Sequence, residues 1–286
     1  MAQTATTGNL ENAQKIIIAA SRYTEEHNAP AMALIESFTL PKGSKQVTVP
    51  KVGQMSMTDL VDGQDIIDEE EIGMTTVDLT AAEVGAKIIL TDKLVRQSAE
   101  NVMSIVGRQL GDGMARKQDT DVTALYSGFS TELGAAARTM SLANVSAVVA
   151  YAKGNKFGSQ VYINHHPFAV WDIANTAVTA STTYPVPKGW TEDLLGDFFS
   201  GLRPLNGVPI FEDGNITIDS SDDAVGVIAD KSALAVLKSV DTRTERQRDA
   251  SLRATELVMT SDYGVFELDD SKGAALTLDA GTPATS

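Results

Sequence analysis

Between Asp92 and Tyr126 the apolar residues Leu94, Val95, Val102, Ile105, Val106, Leu110, Met114, Val122, Leu125 and Tyr126 recur at intervals dominated by three and four, the spacing that lines one face of an α-helix. Asp92 suits the cap of that helix, and no proline interrupts the chain before Pro167. The pattern predicts one helix of about 34 residues, a rod of about 50 Å at roughly 1.5 Å per residue. Gly107, Gly111 and Gly113 each weaken it by up to roughly 1 kcal/mol relative to alanine, so a bend or close packing is expected there.

Upstream the period changes. After the turn signal Gly43-Ser44, Gln46-Val47-Thr48-Val49 alternates polar and apolar in strand-forming residue types, and a second extended stretch, MTTVDLTAAEVGAKIIL, begins at Met74. Two such segments about twenty-five polar residues apart predict a long hairpin-like loop. The first forty residues hold only Ile16-Ile17-Ile18-Ala19-Ala20 and Ala31-Met32-Ala33-Leu34-Ile35 as apolar patches. They read as an arm with one or two helical turns, too thin to bury itself. Deleting residues 1–36 is therefore expected to leave a folded subunit that assembles badly, because Ile16, Ile17 and Ile18 find burial on another subunit.

Downstream of Gly128 helix and strand alternate. SLANVSAVVAYAKG reads as a helix with Gly154 after its end, and SQVYINHHPFAVWDIANTA as a strand entering a helix near Pro167. NGVPIFEDGNITI is a turn into a strand, and AVGVIADKSALAVLKSV a strand with a short helix. The tail carries two alternating segments, TELVMTSDYGVFELDD and GAALTLDA, split by Ser271-Lys272-Gly273. The whole is of α/β or α+β class, long enough at 286 residues for roughly two domains.

Charge narrows the function. With 38 acidic and 23 basic residues the formal net charge is −15, which disfavours sequence-specific binding to a polyanion such as DNA. Containing nucleic acid is a different task, and an acidic wall suits it. Residues 62–79 place seven carboxylates in eighteen positions without a basic residue or histidine, whereas Arg243, Arg246, Arg248 and Arg253 form the densest basic cluster. Either both runs are simply solvated or, on a projecting loop whose carboxylates would repel their copies in a homo-oligomer, the counter-charge comes from elsewhere in the same sequence. On the latter reading Asp68, Glu69, Glu70 and Glu71 are expected to approach Arg243, Arg246 or Arg248 of an adjacent subunit. No apolar run approaches the roughly 18 residues of a membrane helix, so no membrane partner is expected. The N-terminus lacks the basic start and apolar stretch of a secretory signal, and there is no cysteine to suggest an oxidising compartment.

Catalytic constellations are sparse. The histidines are His27, His165 and His166; the adjacent pair sits at the end of a strand, where neighbouring side chains diverge, so it makes a poor metal site and is expected to be solvated or hydrogen-bonded. Neither G-x-S-x-G, the phosphate-cradling loop nor H-E-x-x-H occurs. GDGMAR lacks the third glycine of a dinucleotide fingerprint and lies within a helix, and Asp59, Asp62 and Asp65 miss the spacing of a calcium loop. No cofactor, metal or enzymatic activity is expected.

The order of these parts resembles a family. TLPKGSKQVTVPKVG opening an extended loop, VGAKIILTDKLVRQSAENVMSIVGRQLGDGMARKQDTDVTALYSG closing it into the long helix, PLNGVPIFEDGNI and TSDYGVFELDDSKGAALTLDA together resemble the major capsid proteins of tailed bacteriophages, which have the HK97-type fold. The resemblance covers nearly the whole chain. It implies an α+β subunit with an N-terminal arm (1–39), an extended β loop (40–88), a peripheral domain with the long spine helix (89–140 and 236–286) and an axial domain (141–235). It also implies self-assembly as hexamers and pentamers into an icosahedral shell around double-stranded DNA, with a portal and a separate scaffolding protein as partners, in a virion assembled in the host cytoplasm. Lys42, Lys45 and Lys51 lie in the loop from which some family members form isopeptide cross-links, but no pattern selects one of them. Two rival readings are an encapsulin-like nanocompartment shell and, from another class, a soluble acidic α/β enzyme or binding protein with a convergent polar pocket.

Overall fold

The computed structural model of the chain describes residues 30–52, 59, 73–97, 102–178 and 207–283. A single helical turn, α1 (Ala31–Leu34), leads into β1 (Glu36–Thr39), followed by β2 (Gln46–Val52), β3 (Met74–Thr80) and β4 (Ala82–Thr91). Helices α2 (Asp92–Gln97) and α3 (Val102–Ala124) come next, then a 3-10 turn at Tyr126–Gly128 and β5 (Glu132–Gly134). Helix α4 (Leu142–Gly154), β6 (Val161–His165), α5 (Pro167–Val178), β7 (Ile210–Glu212) and β8 (Asp223–Asp230) continue the chain. It finishes with β9 (Leu234–Asp249), β10 (Ala254–Glu267) and β11 (Gly273–Asp279). The strand-to-helix passage at Pro167 and the two tail strands form as their patterns predict; of the single helix expected from Asp92 to Tyr126, the described residues form two stretches, Asp92–Gln97 and Val102–Ala124, and 98–101 lie outside the described residues.

Among the described residues the strands build three sheets, ordered β1-β9-β10-β4, β5-β11-β8-β6-β7, and β2-β3. The last is the expected hairpin, antiparallel from Gln46 opposite Thr80 to Val52 opposite Met74. In the five-stranded sheet β8 is central, and its run Asp223–Asp230 is buried almost throughout, as a strand covered on both faces must be. Helix α4 lies over it: Val145, Val148, Val149 and Ala152 recur at helical spacing and are all buried, and Ser141 caps the helix by accepting the Asn144 amide at 3.2 Å.

Helix α3 joins two cores. Its first half sets Val106, Leu110 and Met114, one turn apart each, against Leu90, Leu94, Leu257 and Met259 of the four-stranded sheet side. Its second half and the following turn carry Val122 and Tyr126 into the main core, with Ile163, Ile228, Leu234 and Leu276. Gly107, Gly111 and Gly113 lie within the helix, and a side chain added at any of them meets nothing within 4 Å. The close packing expected at these glycines is therefore not formed among the described residues.

Two further expectations need correcting. The short helix read in AVGVIADKSALAVLKSV is only a 3-10 turn at Lys231–Ala233, capped by Asp230, whose side chain accepts the Ser232 amide. The rest continues as β9, because Leu234 to Leu237 are buried and paired antiparallel with β10, and from Ala235 onward also in parallel with β1; the ladder outweighs helix propensity. The segment 31–39 is no detachable arm either. Ala31 and Ile35 belong to the main core, and β1 extends a sheet, so deletion to residue 36 would remove core and ladder. Only a cut ahead of Pro30 spares both.

Candidate assembly surfaces

The hairpin β2–β3 is bound to the body at its side and exposed at its far end. Lys51 reaches Asp269, beside a 3-10 turn at Asp270–Lys272, at 2.5 Å. Burial works to raise the Asp269 pKa, but hydrogen bonds from Lys51 and Ser271 outweigh it and hold the carboxyl below its ordinary range. Beneath the hairpin a cleft of about 680 Å³ is lined by Glu36, Lys51, Lys156, Asp269 and Lys272 among others. At the far end Val52 and Met74, paired across the strands, are 57% and 60% exposed.

The ribbon formed by β9 and β10 carries the basic cluster. The outer half of β9, Val240 to Arg248, is exposed throughout, and β1 covers its edge only as far as Lys238. Arg248 forks onto Asp92 at the start of α2, with Nη2 to Oδ2 at 2.6 Å. That bond holds the Asp92 carboxyl below its ordinary range. Arg243 has Glu245 at 3.6 Å and the Thr260 hydroxyl at 3.4 Å. Arg246 has no ion-pair partner among the described residues. Of the expected contact residues, Asp68, Glu69, Glu70 and Glu71, like Ile16, Ile17 and Ile18, lie outside the described residues.

Buried polar groups were harder to read. His165, opposite the solvated alternative, is fully buried; its Nε2 lies 3.1 Å from the Leu276 carbonyl, and its Nδ1 accepts the His166 amide at 2.9 Å. Burial pushes its pKa down to about 4, so it is neutral and Nε2 is the donor. Asp119 and Asp213, which sequence reasoning passed over, are also fully buried. Asp119 Oδ1 accepts the Ala31 amide and Oδ2 the Asn215 side chain, each at 2.9 Å. Burial first, then a hydrogen bond with Asp213, push Asp119 up to about 7. The signal was present: Asp119 interrupts the apolar face of α3 between Met114 and Val122.

No family model matches this chain, and no curated relative does. Solved structures match over nearly its full length. Similarity to the capsid of Ralstonia phage GP4 has a TM-score of 0.68 at 11% identity, covering 88% of this chain and 89% of that one. Microbacterium phage Oxtober96 gives 0.66 at 14% identity, covering 96% and 100%, and the bacteriophage PhiM1 mature capsid 0.64 at 14%, covering 89% and 88%. The chain has an HK97-like capsid fold. Within this capsid fold, the exposed outer half of β9 and the exposed hairpin end are surfaces the subunit leaves uncovered among its described residues.

Proposed function

We propose that the chain is a shell-forming structural protein, the major capsid protein of a tailed bacteriophage, whose copies close into an icosahedral shell around double-stranded DNA. The observation that carries this reading is the extent of the likeness: the match to Microbacterium phage Oxtober96 spans 96% of this chain and the whole of the other. The role is structural and not catalytic. Residues before Pro30 act as the arm and 40–88 as the extended loop, with β2–β3 as its stem. Helices α2 and α3 act as the spine, and the four-stranded sheet belongs to the peripheral domain. The five-stranded sheet forms the axial domain, and β11, which pairs with β8, goes with it and not with 236–286 as grouped from sequence.

Contacts between subunits pair the carboxylates Asp68, Glu69, Glu70 and Glu71 with the ribbon of a neighbour. Arg246 is the first candidate there, because Arg248 already has Asp92. Ile16, Ile17 and Ile18 bury against another copy. The shell takes hexamers and pentamers, a portal and a separate scaffolding protein as partners, encloses DNA without reading its sequence, and forms in the host cytoplasm. Electron micrographs of the purified full chain, alone and co-produced with its scaffolding partner, test this. Closed shells are expected in at least one case; a uniform particle of 30.3 kDa in both would overturn the proposal.

A further inference from the structure

Three parts of the chain converge on two buried carboxyl groups. Asp119 projects from α3, Asp213 stands in the turn after β7, and Ala31 begins α1. Asp213 is fixed there: its amide donates to the His165 carbonyl at 3.0 Å, and its Oδ1 accepts the Asn215 amide at 2.9 Å. Its Oδ2 is buried without a donor, and Asn215 links the two carboxyl groups, its amide donating to Asp213 Oδ1 and its side-chain nitrogen to Asp119 Oδ2, each at 2.9 Å. Two ionised carboxylates have no proton to place between them, and an unsatisfied buried oxygen is rare in a well-packed interior. A single proton resolves both difficulties, since the Asp119 hydroxyl can then donate to the Asp213 carboxylate.

We propose that Asp119 and Asp213 share one proton, and that this proton ties the root of the N-terminal segment to helix α3 and to the turn after β7. The groups around the pair favour it. From α1 comes the Ala31 amide, and from the turn come Asp213 and the Asn215 side chain. From the 3-10 turn after α3 comes Tyr126, whose phenol burial holds well above its ordinary range and whose oxygen accepts the Asn164 side chain of β6 at 2.8 Å. Tyr162, also on β6, acts on Tyr126. None of the groups that act most strongly on Asp119 is cationic; Arg116 and Lys117 on α3 are exposed, and Lys117 pairs with Asp121.

The sign of the pH effect follows. A carboxyl whose folded pKa is raised contributes stability that is complete below the ordinary aspartate range, near pH 4, and lost as pH rises through about 7. The joint is therefore tightest in acid and loosest once Asp119 is ionised. This concerns the subunit and stands whether or not the chain builds a shell.

Infrared difference spectroscopy of the full chain tests the proton itself. A protonated-carboxyl band persisting at about pH 6 and gone by about pH 9, and missing in D119N, is expected; its absence from the parent at pH 6 would overturn the proposal. The variant D213N places an amide donor where Oδ2 stands and so replaces the proton permanently. Hydrogen exchange, corrected for intrinsic rates, should show the parent's protection at Ala31 to Ile35 and Asn215 falling by up to about tenfold per pH unit between pH 5 and 7 and levelling above. In D213N it should not fall. An equal fall in parent and variant would refute the shared proton.

Discussion

The five-stranded and four-stranded sheets satisfy their strands in different ways. In the first, β8 has a partner on each side, β11 and β6, and almost every residue of it is buried. In the second, β9 is buried only from Leu234 to Leu237, where β1 joins it from Ala235, and among the described residues its outer half pairs with β10 alone. An exposed strand edge invites another chain, and natural proteins guard such edges with charge; here Asp241, Arg243, Glu245, Arg246 and Arg248 supply it. The first sheet is a finished core and the second an unfinished surface, so damage to one should destroy the subunit and damage to the other the assembly.

The largest effects should come from the finished core. Ile228→Ala removes a fully buried side chain from β8 and should cost about 2 to 5 kcal/mol, read as a lower denaturant midpoint. Gly226→Ala is the steric counterpart: a Cβ there would lie 2.2 Å from the His165 ring and 2.5 Å from the Asn164 carbonyl, and overpacking should cost about 1 to 3 kcal/mol or more. A stable G226A subunit would break the picture of a rigid centre.

Next comes pH. His165 is a base whose folded pKa is depressed to about 4 by burial, so its contribution is complete above about pH 6.5 and lost as pH falls toward 4. That amounts to something on the order of 3 kcal/mol. It runs against the Asp119 titration, which loses stability as pH rises over much of the same window, so the parent's melting temperature should change little between pH 4 and 7. Removing one group should expose the other: D213N should gain stability with rising pH, and H165Q should lose it. Parallel slopes in both variants would contradict the assignment.

The unfinished surface should answer differently. Arg246→Glu should leave the denaturant midpoint within about 0.5 kcal/mol of the parent while impairing assembly, and adding Glu69→Lys and Glu70→Lys should partly restore it. High salt should weaken the parent's assembly, because exposed pairs are screened beyond about 10 Å at 0.1 M. Arg248→Ala, which breaks a fully exposed pair, should leave the subunit's denaturant midpoint essentially unchanged.

What could be read from the sequence follows the same division. Periodicity exposed α3, the β2–β3 hairpin and β10, since their apolar positions recur at the period of the element that carries them. The outer half of β9, TRTERQRD, has no apolar alternation, and its strand form comes from pairing with β10, information that lies far along the chain. Leu234 to Leu237 misled for the converse reason, a continuous apolar run that helix and buried strand share. Asp213 in FEDGN carried only a turn signal, and its burial depends on α3 and α1 arriving around it.

Hydrogen exchange on the full chain, compared between dissociated subunits and assembled particles, tests the division most directly. Protection should rise in assembled particles at residues 240–249 and in the hairpin strands Gln46–Val52 and Met74–Thr80, and stay unchanged at Asp223–Asp230 and Gly273–Asp279. Equal protection of 240–249 in both states, or a rise confined to β8 and β11, would contradict the account.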